Sequence, residues 1–536
     1  MGGLRKLLRP ASVAIIGGGE WGRNVIRNSR AIGYEGAIWP VHPVRDTLEG
    51  EKAYPRIADL PGVPDAAYIA VNRHLTIEAA GALSAMGAGG AICLASGFRE
   101  ARGEDAGGAD LQDDLLAAAG DMTLIGPNCY GFVNYLDGAA LWPDQQGGAR
   151  LTSGVAIISQ SSNIAMNISM QRRGLPIAYL AAVGNQAQTG LSAIGAAMLA
   201  DPRVTALGLH IEGIDDLRGF EALAATARDL GKPVVALKVG RSDHAQAATL
   251  SHTASLAGGA AGAHALLARL GIARADSIPA FLEALKLLHV VGPLKSNRIA
   301  SMSCSGGEAS LIADTALGAE VAFPALCLTQ HDALRAALGP MVALSNPLDY
   351  HTYIWRDAGR LGETFTAMMD PGLALGVIIL DFPREDRCTA KDWRPVITGA
   401  VRARTERAVP MAIVATLHEN MPEEEALDLL AAGIAPLCGL DEAIRAIEAA
   451  AWLGQCRAAA NPAEPLLLPA PVSDGRTLSE AEAKSALSAH GLRVPQSAVA
   501  DSPAAAAQAA ATLGFPVALK AQGIAHKTEA GAVALN

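Results

Sequence analysis

Ser12-Val13-Ala14-Ile15-Ile16-Gly17-Gly18-Gly19-Glu20-Trp21-Gly22 is an apolar run of strand length, then a GxGxxG turn, then the start of a helical period that continues to about Ile32. The pattern repeats outward. Apolar strands recur at Ala37 to Val41, Ala66 to Val71, Gly90 to Ala95 and Thr123 to Ile125, with helical stretches such as Leu75 to Met86 and Leu111 to Ala119 between them. This alternation predicts an α/β fold built on a parallel, doubly wound sheet. Glycines at a strand-to-helix turn let a phosphate approach the helix N-terminus, although they also serve plain helix–strand packing. A dinucleotide site needs an acid at the end of the second strand, and Trp39-Pro40-Val41-His42-Pro43 offers none, which disfavours a dehydrogenase.

The same grammar appears twice more. Val155 to Ile158 runs into Ser159-Gln160-Ser161-Ser162-Asn163, whose hydroxyls and amides suit a helix start and whose N–H groups can hold an oxyanion. Arg298 to Cys304 turns through Ser305-Gly306-Gly307 into another helical pattern. Between these lie strands at Ile177 to Val183, Val204 to Ile211 and Pro233 to Gly240, and after them come strands at Leu375 to Phe382 and Val409 to Thr416.

The strand ending at Gly240 leads into Ala247-Ala248-Thr249-Leu250-Ser251-His252-Thr253-Ala254-Ser255-Leu256-Ala257-Gly258-Gly259. One imidazole stands there among small residues, with no second His or Cys at metal-ligand spacing, so no metal site is expected. His252 is either a nucleophile or acid/base or an ordinary loop His. Glu212 follows a strand on the same edge of a parallel sheet; it either orients that imidazole through Nδ1–H or is a solvated loop acid.

Composition narrows the classes. The chain has 536 residues, enough for roughly three or four domains. Lys+Arg 43 against Asp+Glu 53 gives a net charge of -10 with no basic run, which counts against nucleic acid. Hydrophobic content is 50%, but the longest uncharged stretch, Gly174 to Ala200, carries Asn185, Gln186 and Gln188 and reads as buried sheet, not as a membrane span. The start, Met1 to Arg9, lacks a long apolar segment and no CxxC pair occurs, so no secretory signal and a reducing, cytoplasmic location with small-molecule partners are expected.

Asn461 to Pro471 is Pro-rich and reads as a linker. Beyond it, Ser479-Glu480-Ala481-Glu482 opens a helix, and Pro516 to Ala521 and Gly531 to Asn536 read as strands, the first carrying Lys520, with His526 between them. These residues read as the opening part of a further domain.

Taken together, Ser251-His252-Thr253-Ala254-Ser255-Leu256-Ala257-Gly258, the Gly17 to Gly22 turn, Ser96-Gly97-Phe98-Arg99-Glu100 and Gly126-Pro127-Asn128-Cys129-Tyr130-Gly131 resemble, in order, the ADP-forming (NDP-forming) acyl-CoA synthetases, relatives of succinyl-CoA synthetase. The resemblance implies a Rossmann-like CoA-binding domain over 1–140, a flavodoxin-like domain with a phosphohistidine loop over 150–292, and a second flavodoxin-like domain over 296–457. A linker over 458–476 and the N-terminal part of an ATP-grasp domain over 477–536 complete it. It implies catalytic roles for His252 and Glu212, phosphate binding by Ser159, Gln160, Ser161, Gly306 and Gly307, and CoA contacts from Gly17, Gly19, Gly22, Arg45, Val71, Pro127 and Asn128. Lys520 and His526 take the places of an ATP-phosphate lysine and a relaying histidine.

The reaction implied is an acid–CoA ligation, forming ADP from ATP or another NTP, through phosphohistidine and acyl phosphate. Mg2+ would be held by ATP-grasp residues beyond this sequence, so ATP alone is expected to leave this chain inactive. A homodimer is implied as well. The wording of Ser159 to Asn163, Gln171 to Tyr179 and Gly184 to Gln188 leans toward the feruloyl-CoA synthetase type and an aromatic, hydroxycinnamate-like acid. The competing class is a non-catalytic CoA-binding regulatory module, as in acetyltransferase-fused relatives. Ser162, Ala254 and Ala532 depart from the family's glycines, and Val44 from its basic residue, with Arg45 adjacent.

Overall fold

The computed structural model describes residues 2–101, 107–214, 216–240, 242, 244, 260–459, 466, 478–523 and 531–535. The chain divides into two compact units, residues 1–464 and residues 465–536. No helix among the described residues is long and apolar enough to cross a membrane.

The first unit contains three sheets with a parallel core, and each core has the same strand order. In the first, β1 (Ser12–Ile16), β2 (Ala37–Val41), β3 (Ala66–Ile69), β4 (Gly90–Cys93) and β5 (Thr123–Ile125) lie in the order β2-β1-β3-β4-β5. The chain then adds an antiparallel hairpin, β6 (Gly131–Asn134) and β7 (Ala139–Leu141). The second sheet's parallel strands are β8 (Gly154–Ser159), β9 (Ile177–Ala182), β10 (Val204–Ile211), β11 (Val234–Lys238) and β12 (Ala273–Ala275), in the order β12-β11-β10-β8-β9.

The hairpin joins this second sheet, β6 pairing antiparallel with β9 through Asn134↔Tyr179 to Gly131↔Ala182. The expected boundary at residue 140 therefore falls inside a strand of the second sheet. The third sheet has β13 (Ile299–Ser303), β14 (Leu348–Asp349), β15 (Leu375–Ile379), β16 (Met411–Ala415) and β17 (Ala435–Cys438), in the order β14-β13-β15-β16-β17.

Nearly every residue of these strands is buried. That is why they read as continuous apolar runs: helices cover both faces of a parallel sheet, so neither side of the strand can be polar. In each sheet the first strand lies between the second and third, and the chain winds in opposite directions from that point. Ligands in such sheets bind outside the carboxyl ends of the strands there. The helices that leave the first strands are α1 (Glu20–Ala31), α2 (Ser162–Ser169) and, beyond α3 (Ile278–Val290), α4 (Gly306–Thr315).

The second and third sheets share a core through α3, buried from Ala280 to Leu288, which packs against β17 and α5 (Leu440–Ala458). Two charges are wholly buried on that helix. Glu283 pairs with Lys286 at 2.9 Å and with Arg173 at 2.9 Å, and accepts from the Cys438 amide at 3.0 Å. Lys286 also donates to the Arg173 carbonyl at 2.6 Å.

The second unit holds α6 (Glu480–Ala489), capped by the Ser479/Glu482 box, α7 (Pro503–Leu513), and an antiparallel pair, β18 (Ala518–Lys520) with β19 (Val533–Leu535). The linker stretch 461–471 lies outside the described residues apart from Leu466, and so does His526.

Candidate functional site

The three winding reversals place the motifs at equivalent positions. At the first, Gly17 has φ +112° and a side chain there would strike the Ala70 carbonyl. One at Gly22 would sit 2.5 Å from the Gly17 carbonyl. Those two glycines make the turn and seat the helix on the strand. Gly19 differs: it caps α1, is exposed, and a β-carbon on it would meet nothing within 4 Å. That open backbone is where a phosphate can approach. Val71 lines the same turn, and a side chain on Gly18 would meet the His42 ring. The His42 Nδ1 accepts from the Val44 and Arg45 amides at 3.2 and 3.0 Å, leaving the Arg45 side chain exposed.

The 126–131 loop is joined to the second sheet. Pro127 is buried and its carbonyl accepts from the Asn185 amide at 3.0 Å, while Ala187 N–H reaches the Gly126 carbonyl at 2.9 Å. Asn128 takes φ +57°, is exposed, and its amide reaches Asn185 at 3.4 Å. Gly184 is obligatory, because a side chain would stand 2.4 Å from both the Pro127 and Asn128 carbonyls. The Asn185 amide also donates to Glu100, tying the 96–100 segment to the same edge. Tyr130 N–H then donates to Ser162 Oγ at 3.2 Å, so that hydroxyl holds this loop on the first turn of α2.

At the second reversal Ser159 is fully buried. Its hydroxyl donates to the Ser161 carbonyl at 2.7 Å, accepts from Ser161 N–H at 3.0 Å, and lies 3.1 Å from His210 Nδ1. With its one proton committed to Ser161, the imidazole must donate from Nδ1. Burial, with Lys238 adding, holds the His210 pKa down to about 4, so the ring is neutral. The Gln160 side chain is spent on the neighbouring loop: its Oε1 accepts from the Glu212 and Gly213 amides and its Nε2 donates to the Gly213 carbonyl. Ser161 caps α2, accepting from Ile164 N–H at 3.4 Å. Of the expected phosphate binders here, Ser159 and Gln160 spend their side chains on the turn and the 212–213 loop, and Ser161 on the cap of α2.

Glu212 leaves the end of β10 beside Lys238, which is buried at the end of β11 and donates to the Glu212 and Val239 carbonyls at 2.8 and 2.6 Å. Burial lowers the Lys238 pKa and the Glu212 charge partly restores it. Lys238 and His210 were not anticipated from sequence; the available signal was an ionisable residue within an otherwise apolar strand. His252 and its loop, 247–259, lie outside the described residues.

At the third reversal the local device repeats. Ser303 Oγ donates to the Ser305 carbonyl at 2.9 Å, and Ser305 caps α4, accepting from Gly307 N–H at 3.2 Å. Gly306 and Gly307 are exposed. In the second unit Lys520 pairs with Glu480 at 2.8 Å on a cavity of about 460 Å³ that Lys484 also lines. Among the described residues no group of three or more His, Cys, Asp or Glu is placed to hold a metal.

Family models match in the same order: a CoA binding domain over residues 11–135, a succinyl-CoA ligase like flavodoxin domain over 152–288, and an ATP-grasp domain over 470–536. The chain is 30% identical to a trans-feruloyl-CoA synthase from an unknown prokaryotic organism, across 99% of this chain and 76% of that protein. The chain belongs to the ADP-forming acyl-CoA synthetase family. Another member, the alpha subunit of acetate–CoA ligase [ADP-forming] II from Pyrococcus furiosus, is 29% identical over 78% of this chain and 91% of its own length. The family fold is seen in the dinucleotide-forming acetyl-coenzyme A synthetase 1 of Ca. Korarchaeum cryptofilum, at 22% identity and TM-score 0.73, covering 85% of this chain and 98% of that one. The Rossmann-like, flavodoxin-like and ATP-grasp expectations are thereby met.

Proposed function

We propose that this protein ligates an aromatic carboxylic acid to CoA with formation of ADP, and that His252 carries the phosphoryl group. The observation that carries the reading is the second reversal, where a helix N-terminus, Glu212 and a loop from the CoA-binding sheet meet on one edge. A neutral imidazole there attacks the γ-phosphorus of the nucleotide and ADP leaves. The acid's carboxylate oxygen then attacks that phosphorus, freeing the imidazole and giving an acyl phosphate. CoA sulfur attacks the acyl carbon, the thioester forms and phosphate departs.

Glu212 accepts the imidazole Nδ1–H and keeps Nε2 as the nucleophile. Lys238 holds the Glu212 backbone, and the amides of α2 and α4 offset the charge of the transferred phosphoryl group. CoA lies over Gly19, with Val71 and Asn128 beside it and Arg45 in reach of its phosphates. Similarity to the feruloyl-CoA synthase along 99% of the chain supports the aromatic acid.

The test runs the reaction from the thioester side, which needs no nucleotide. Feruloyl-CoA and 32P-labelled phosphate should give acid-labile, base-stable label on the protein, and His252→Ala should give none. Label that survives His252→Ala overturns the carrier assignment, and no label from feruloyl-CoA overturns the aromatic reading.

A further inference from the structure

The third reversal carries more than a helix start. A cavity of about 490 Å³ opens at the carboxyl ends of β13 and β15, lined by Cys304, Glu308, Trp355, Arg356, Asp381 and Trp393 together with Thr352, Ile379 and Leu380. That volume is in the range of sites for small organic ligands, about 300–1,000 Å³. Trp355 and Trp393 meet edge to face, with centroids 5.5 Å apart. Trp393 is fixed by its Nε1–H, which donates to the Asp381 carbonyl at 2.7 Å.

The polar groups in the wall are not equivalent. The Asp381 carboxylate is held from the far side: it accepts from Thr416 N–H at 2.9 Å, from Thr416 Oγ1 at 2.8 Å and from Asn420 Nδ2 at 3.0 Å. Arg356, the cation of the lining, is paired with Asp392 at 2.6 Å. Glu308 is the wall's buried group with capacity to spare, since its Oε2 is shielded from solvent and has no hydrogen-bond partner among the described residues. Burial, followed by the charges of Asp381 and Asp349, pushes its pKa up to about 7. Near neutrality a large fraction of it is a carboxylic acid, able both to donate and to accept.

These walls reject one end of an aromatic acid and suit the other. A carboxylate would meet Asp381 and Glu308 with no unpaired cation in the lining, and it would lie badly there. The start of α4 at exposed Gly306, two residues before Glu308, suits that end instead. A flat ring with a hydroxyl or ether substituent can lie against the tryptophan pair.

We propose that this cavity takes the ring of a hydroxylated or methoxylated aromatic acid, with the ring substituent hydrogen-bonded to the Glu308 carboxyl and Trp355 and Trp393 against the ring faces and edge. Glu308 is then the residue that tells a substituted ring from a bare one. A site built to hydrogen-bond a substituent leaves a buried polar group unpaired when the substituent is missing. The inference rests on the aromatic reading of the reaction.

The test is calorimetric titration of the full chain with ferulate and with cinnamate, which lacks the ring substituents. Glu308→Leu should weaken ferulate at least about tenfold and cinnamate by less than about threefold. Glu308→Gln, which keeps a donor and an acceptor, should restore ferulate to within about threefold of the parent. Trp355→Ala should weaken both acids about tenfold or more, and it tests the slot independently should Glu308→Leu fold poorly. Unchanged ferulate binding in Glu308→Leu and Trp355→Ala, or equal weakening of both acids by Glu308→Leu, overturns the assignment. Failure of the underlying reading looks different, because the parent protein would then take no label from feruloyl-CoA and phosphate.

Discussion

The second and third winding reversals are built alike and charged differently. In both, a strand-terminal serine donates to the carbonyl of a capping serine two residues on: Ser159 to Ser161 and Ser303 to Ser305. In both, an acid leaves the third strand of the sheet, Glu212 in one and Asp381 in the other. Beside Glu212 stands a buried lysine. Near Asp381 stand Asp349 and Glu308, and the Asp381 carboxylate accepts from neutral groups, amides and the Thr416 hydroxyl. Local sequence makes the turn, and residues from distant strands decide what the turn can hold.

The largest expected effect breaks the mount that both reversals share. Glu283→Ala leaves Lys286 and Arg173 without their counterion inside the joint core, and should cost about 3–5 kcal/mol in denaturant unfolding. Next, Lys238→Met removes the cation that distinguishes the second reversal and strands two carbonyls. We expect a loss of about 2–3 kcal/mol, and phosphate labelling of the protein should fall at least about tenfold, since the Glu212 backbone loses its anchor.

Third comes the acidic setting of the third reversal. Burial holds the Glu308 acid up to about 7 against an ordinary 4.5, so the folded chain keeps a proton that the unfolded chain has released. Its contribution to stability is complete below about 4.5 and is lost as pH rises to about 7. Glu308→Gln should therefore melt with the parent at pH 4.5 and about 2–4 °C above it at pH 8. The smallest effect is Ser162→Gly, which removes the acceptor for Tyr130 N–H and should cost about 1 kcal/mol. Should it also raise the KM for CoA without changing that for the acid, the loop's attachment to α2 serves the CoA side alone.

The architecture was largely legible because a parallel strand buried on both faces has to be apolar, and the glycine and serine turns punctuate it. The ranges at Ala37–Val41 and Val204–Ile211 coincide with strands of the structure. The expected phosphate binders were less legible. Gln160 sits in a helix-start motif, yet its amide is consumed by the 212–213 backbone fifty residues away in sequence. Asp381 is matched by residues 416–420, and Trp355 meets Trp393 only because the loops after two strands converge. Such pairings have no local period, so no window of sequence contains them. The hairpin at 131–141 was hidden for a related reason: its strands are short, and their partner β9 begins only at Ile177.

That hairpin governs how the chain can be synthesised and dissected. Emerging from the ribosome, the first sheet is complete at Ile125, and the hairpin can pack on α1 through bonds such as Ser29 Oγ to the Ala140 carbonyl, but the second edge of β6 must wait for β9. A fragment ending near residue 140 would display an unpaired apolar edge, an invitation to self-association. The part that folds cleanly on its own runs at least through the second sheet.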